Sequence, residues 1–113
     1  AERTFEEDID DYGIVYKILE LLSDEVANVL KNESYLFKTV GIKVRFADFD
    51  TATKARTLKD HTNSKQVLIT RCRELFKDFE KDGRRIRLVG VRVSNLKKVS
   101  PVQKDLLAWI GND

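Results

Sequence analysis

The sequence predicts an α+β fold with element order βαββαβ, a four-stranded antiparallel sheet carrying both helices on one face. Two strand-like stretches place apolar side chains on one side and polar or cationic ones on the other. In residues 38–46, Val40, Ile42, Val44 and Phe46 alternate with Thr39, Gly41, Lys43 and Arg45. In residues 84–94, Val89, Val91 and Val93 alternate with Leu88, Gly90, Arg92 and Ser94. Successive strand residues point to opposite faces, so such a sheet rests on helices with one face and offers water the other. The third observation is a pair of amphipathic helical stretches, one before each half of the strand pattern.

Taken in order, residues 4–7 around Phe5 form a short candidate strand. After the acidic run Glu6–Asp11, apolar residues recur at helical spacing: Ile14/Val15, Ile18/Leu19, Leu22, Val26 and Val29/Leu30. Asp10 or Asp11 can cap the first turn, where the helix dipole favours negative charge. Residues 32–34 close this helix, and residues 35–47 form the first long strand. Residues 48–50 make a turn, and residues 51–58 return as a threonine-rich strand, with Lys54 and Arg56 two apart on one face. Residues 59–63 read as a polar loop. The second helix, residues 64–81, buries Val67/Leu68, Cys72, Leu75/Phe76 and Phe79, and Asp82-Gly83 stops it. The last strand is residues 86–93. The domain is therefore drawn over residues 1–96, with a tail over residues 97–113 that reads as linker as far as Pro101.

The length suits one domain with a core of its own, needing neither disulfides nor metal. Cys72 is the only cysteine, which excludes an internal disulfide and a cysteine zinc site and points to a reducing, intracellular compartment. With no signal peptide and no apolar run of membrane-spanning length, the chain is expected to be soluble. It contains no methionine, as expected of a piece of a longer protein. The net charge of +2 conceals a polarity: residues 1–33 carry 3 Lys/Arg against 10 Asp/Glu, and residues 34–98 carry 17 against 7. Segregated charge is an electrostatic footprint in a way that the average is not.

The enzyme signals are poor. Magnesium chemistry would need convergent carboxylates, but Glu6, Glu7, Asp8, Asp10 and Asp11 sit where solvation and capping already account for them. His61 reads as a solvated loop residue, and Cys72 lies on an apolar helix stripe as an inert core thiol. No P-loop, no G-x-G-x-x-G and no nucleophile elbow is present. No catalytic residue and no metal ligand is assigned.

The basic sheet face is the stronger signal. Lys43, Arg45, Lys54, Arg56 and Arg92 are expected to share it, with Thr39 as a hydroxyl donor and Gly41 and Gly90 keeping it low. Arg84, Arg85 and Arg87 stand where the last strand begins. Cations about 7 Å apart along strands about 5 Å apart can follow a phosphate backbone, setting register and affinity without reading sequence. RNA recognition motifs of this topology stack bases on sheet aromatics. Here Lys and Arg stand at those places, which favours duplex backbone over stacked single strands. An RNA-binding domain of the same topology is the second reading. A small phosphatase of similar fold is the third, and it would need a phosphate-cradling glycine loop that is absent.

Residues 46–58 read F-A-D-F-D-T-A-T-K-A-R-T-L, residues 84–96 read R-R-I-R-L-V-G-V-R-V-S-N-L, and Glu2–Phe5 reads E-R-T-F. Together these resemble the little-finger (polymerase-associated) domain of Y-family translesion DNA polymerases of the DNA polymerase IV type, over nearly the whole chain. The resemblance implies a module joined to catalytic palm, fingers and thumb domains of one parent DNA-directed DNA polymerase, in a prokaryotic cytoplasm. It implies a sheet laid in the major groove of primer–template DNA, gripping both backbones. The matching positions are Lys43, Arg45, Lys54, Arg56, Thr57, Gly90, Arg92 and Ser94. It also implies that magnesium and the catalytic carboxylates belong to the palm, outside this sequence. In the tail, Gln103, Leu106, Trp109 and Ile110 fit the spacing of a peptide for the trimeric sliding clamp, with Trp109 and Ile110 in place of that motif's usual aromatics. Gln103 to Leu107 equally fits the shorter bacterial clamp motif, and a helix folded back on the domain is the remaining reading.

Overall fold

The computed structural model describes residues 1–99. Its elements are β1 (Glu2–Ile9), α1 (Tyr12–Asn32), β2 (Tyr35–Phe46), β3 (Thr51–Thr62), α2 (Lys65–Glu80), β4 (Ile86–Ser94) and a two-residue β5 (Lys97–Lys98). The main strands pair antiparallel in the order β1-β4-β2-β3, so β4 and β2 are central and β1 and β3 are edges. The expected α+β architecture is borne out.

Local chemistry fixes the helix ends. The Asp11 carboxylate accepts from the Gly13 amide at 3.0 Å, and the Ser64 hydroxyl accepts from Val67 N–H at 3.2 Å, each satisfying a donor that the first turn leaves unpaired. After α2 the chain turns at Gly83, whose φ of 66° suits a residue without Cβ. The core lies between the helices and the even-numbered face of β2. Val40, Ile42, Val44 and Phe46 meet Leu19, Leu22, Phe76 and Val89 there, all essentially inaccessible to water. Tyr12 and Tyr16 pack nearly perpendicular to the Phe76 ring, with centroids at 5.7 and 5.2 Å, and the Tyr12 hydroxyl donates to the Arg84 carbonyl at 2.8 Å. Cys72 is buried here beside Ser23, and burial pushes its thiol up to about 11.

Three sequence expectations are corrected. β1 begins and ends beyond residues 4–7, because its backbone pairs with β4 across an irregularity between Thr4 and Ile9. Residues 59–62, expected in a loop, belong to β3. Phe37 pairs with Thr62 while Thr39 pairs with Thr57, so β3 carries extra residues at a bulge. An edge strand is wet on its outer side, which lets Lys59, Asp60 and His61 stay in it; the His61 Nε2 lies 3.0 Å from the Asn95 carbonyl oxygen. Residues 97–99, expected as linker, instead pair with the start of β2: Lys97 and Lys98 oppose Leu36 and Tyr35, and Val99 N–H donates to the Ser34 carbonyl at 2.8 Å.

Candidate nucleic-acid interface

Directly opposed residues in a sheet share a face, so the register decides which side chains stand together. Across β2 and β4 the pairs Thr39–Ser94, Gly41–Arg92, Lys43–Gly90 and Arg45–Leu88 point away from the helices. Across β2 and β3 the same row assignments give Thr39–Thr57, Gly41–Ala55, Lys43–Thr53 and Arg45–Thr51. From β1, Glu2 joins at Gly90 and Thr4 at Leu88. This open face is thus a field of hydroxyls with three cations, Lys43, Arg45 and Arg92, and no aromatic ring at any of the paired positions. Thr39, Lys43, Arg45, Gly90 and Arg92 lie on it, as expected, and Thr57 and Ser94 lie there with them.

Lys54 and Arg56 do not. They oppose Ile42 and Val40, which face the helices. Their parity is that of Ala52 and Leu58, which pack against the core, too sparse an apolar pattern to place them from the sequence alone. At the sheet edge the two long side chains reach α2. The Lys54 ammonium pairs with Asp78, and Arg56 with Glu74 at 3.1 Å. The expected five-cation face is therefore three cations on the face and two on its rim.

The face is held by short polar contacts. Thr39 and Thr57 hydroxyls are 3.0 Å apart, the Asn95 amide donates to Thr39 at 2.6 Å, and Arg45 Nε donates to Thr51 at 3.0 Å. Arg92 lays its stem over Gly41, where a Cβ would lie 3.5 Å from its Cγ. Among the described residues no carboxylate lies within ion-pair distance of Arg45 or Arg92, whereas Lys43 meets Glu2 at 3.1 Å. Thr51, Thr53 and Glu2 are members of this face that the sequence reading missed; counting back from the turn at residues 48–50 would have found the threonines.

The arginines where β4 begins are engaged within the domain. Arg84 stacks on Phe46, 3.6 Å from the ring centroid, and is held by Asp50 at 2.9 Å with Asp48 and Asp82 nearby. Arg87 lies 4.5 Å from the Phe49 ring centroid and 3.7 Å from Asp8. Among the described residues no group of three or more His, Cys, Asp or Glu is placed to hold a metal ion, and no helix is long and apolar enough to cross a membrane. Gln103, Leu106, Leu107, Trp109 and Ile110 lie outside the described residues.

Residues 1–106 match the model of the impB/mucB/samB family C-terminal domain. The chain belongs to that family, the little finger of Y-family DNA polymerases. It is 41% identical over 95 residues to DNA polymerase IV 2 of Methanosarcina mazei, covering 84% of this chain and 26% of that protein. It is 31% identical over 107 residues to DNA polymerase IV of Clostridioides difficile, covering 94% of this chain and 29% of that protein. The chain thus spans under a third of the curated relatives it matches. Among solved structures, the little finger domain of PolIV in complex with the beta-clamp processivity factor aligns with a TM-score of 0.66 at 31% identity, over 89% of this chain and 87% of that one. A DinB family error-prone DNA polymerase from Sulfolobus solfataricus aligns with a TM-score of 0.75 at 16% identity, over 87% of this chain and 29% of that one, a likeness of fold alone. In this little finger the helix-free side of the sheet is the basic, hydroxyl-rich one.

Proposed function

We propose that this little finger grips primer–template duplex DNA by its backbone, as the accessory domain of a lesion-bypass DNA polymerase whose palm, fingers and thumb hold the catalytic groups and magnesium. The observation that carries the reading is the open face: Lys43, Arg45 and Arg92 rise from a low floor at Gly41 and Gly90, among the hydroxyls of Thr39, Thr57 and Ser94. Ammonium, guanidinium and hydroxyl groups donate to phosphate oxygens, and the two glycines let the stems of Arg92 and Glu2 lie low, so that the sugar–phosphate chain can approach the sheet. Contacts of this kind fix register and tolerate distorted bases, because they read no base edge.

Lys54 and Arg56 act as the rim of the same grip. Both remain about half exposed, and exposed ion pairs contribute only about 0 to 1 kcal/mol each. A phosphate strand passing the β3 edge can therefore draw them from Asp78 and Glu74. In the tail, Gln103, Leu106, Leu107, Trp109 and Ile110 supply a glutamine anchor and an apolar plug for a sliding clamp. That the PolIV little finger was solved with a beta-clamp supports this partner. The RNA-binding alternative is left without support, since the relatives are DNA polymerases and, among the described residues, the paired positions of the open face offer no ring for stacking.

The test is the salt dependence of binding to a labelled primer–template duplex. Five phosphates neutralised give a slope of log affinity against log salt of about −4.5; the face alone gives about −2.7. A slope near zero, or preference for single-stranded RNA over the duplex, overturns the reading.

A further inference from the structure

Among the described residues, one acid stands at the paired positions of the open face among its cations. Glu2 of β1, Gly90 of β4, Lys43 of β2 and Thr53 of β3 form a single row across four strands. Neighbouring strands lie about 4.8 Å apart, so Glu2 and Lys43 are separated by a whole strand and can meet only because position 90 has no side chain. The Lys43 ammonium donates to Glu2 Oε2 at 3.1 Å. A Cβ at position 90 would lie 2.9 Å from Glu2 Cγ, in the space this carboxylate's stem occupies. The same residues, with Arg92, line a depression of about 370 Å³ on this face, more than one phosphodiester group needs.

Resting on the reading that this face takes a nucleic-acid backbone, we propose that the hollow over Gly90 is the seat of one phosphodiester group, and that Glu2 is a built-in competing anion which occupies it in the free domain. The Glu2 carboxylate takes the place of a phosphate oxygen on Lys43, with the Arg92 guanidinium and the Thr53 hydroxyl as the remaining donors. DNA binding is then an anion exchange: Lys43 turns to the incoming phosphate, and Glu2, already 49% exposed, swings into water. Both pairings are exposed, so the exchange costs little. The phosphate nevertheless gains Lys43 only by breaking the pairing with Glu2, and that loss is subtracted from the grip. Glu2 therefore weakens the grip and lets the domain let go. Arg45 and Arg92 meet no such acid among the described residues, so the gate acts on Lys43 alone.

The experiment compares duplex affinity at low salt for the wild-type domain, Glu2→Gln, Lys43→Ala, Glu2→Gln/Lys43→Ala and Glu20→Gln. Glu20 carries the same charge but pairs with Arg73 on the helical layer, so it controls for net charge. Glu2→Gln is expected to bind about two- to fivefold tighter than wild type, with Glu20→Gln close to wild type and the gain falling to that control level once Lys43 is gone. A Glu2→Gln affinity no tighter than that of Glu20→Gln overturns the gate, as does a full gain that survives Lys43→Ala. Absence of duplex binding in every variant overturns the backbone-grip reading itself, and the gate with it.

Discussion

Arg92→Ala tests the open face with the least disturbance to the fold. The guanidinium has no carboxylate partner among the described residues and its stem lies over a glycine, so its removal strands no buried charge and opens no core cavity. Stability should move by no more than about 0.5 kcal/mol. Binding should respond through counterion release. With five phosphates neutralised, raising salt from about 50 to 200 mM weakens wild-type affinity about 500-fold. Losing one contact lowers the slope by about 0.9, so Arg92→Ala should weaken only about 150-fold over the same range. Removing Lys43, Arg45 and Arg92 together leaves the two rim cations and a weakening of about 12-fold. Fluorescence anisotropy across a salt series reads all three numbers. A triple variant whose slope equals wild type would refute the assignment of the face, because side chains that neutralise phosphates cannot be removed without changing the counterions released.

The rim is tested in the same assay: Lys54→Ala/Arg56→Ala should lower the slope by about 1.8, and an unchanged slope would return both residues to a purely structural role beside α2. Phe76→Ala removes a ring that is wholly buried and packed at right angles to Tyr12 and Tyr16, so urea unfolding should show a loss of about 3–5 kcal/mol. Replacing Asp11 with Ala removes the α1 cap and should cost about 1 kcal/mol by the same measurement. Stability should also fall at high pH. Burial raises Cys72 from 9.0 to about 11 and, with Glu80 adding to it, Tyr16 from 10.0 to about 12. In both cases the folded state keeps a proton that the unfolded chain gives up first, so stability is fully present below the unfolded value and is lost as pH rises through the folded one. The decline should span about pH 9 to 12, and Cys72→Ala should remove its lower part; a flat profile there would contradict the burial of both groups.

The sequence by itself determined the order of the two helices and four main strands, an aspartate cap for α1 at residue 10 or 11, the glycine stop at position 83 and the inward and outward residues of β2 and β4. Each of these follows from local chemistry or from a strand's own alternation of apolar and polar residues, which needs no knowledge of neighbours. It also carried the family, through short runs spread along the whole chain. The tertiary structure alone decided which carboxylates meet which cations. Lys54 and Arg56 look like members of the basic face when β3 is read in isolation, because an edge strand has little apolar content to mark its inner side. Only pairing with β2 fixes their parity, and it turns them toward Asp78 and Glu74, contacts between residues 24 and 18 positions apart. Glu2 reaches Lys43 from 41 residues away across a glycine on a third strand. Pairing also carries β3 on to Thr62 and adds β5, since hydrogen bonds to β2 hold polar residues that no pattern of their own would mark as strand.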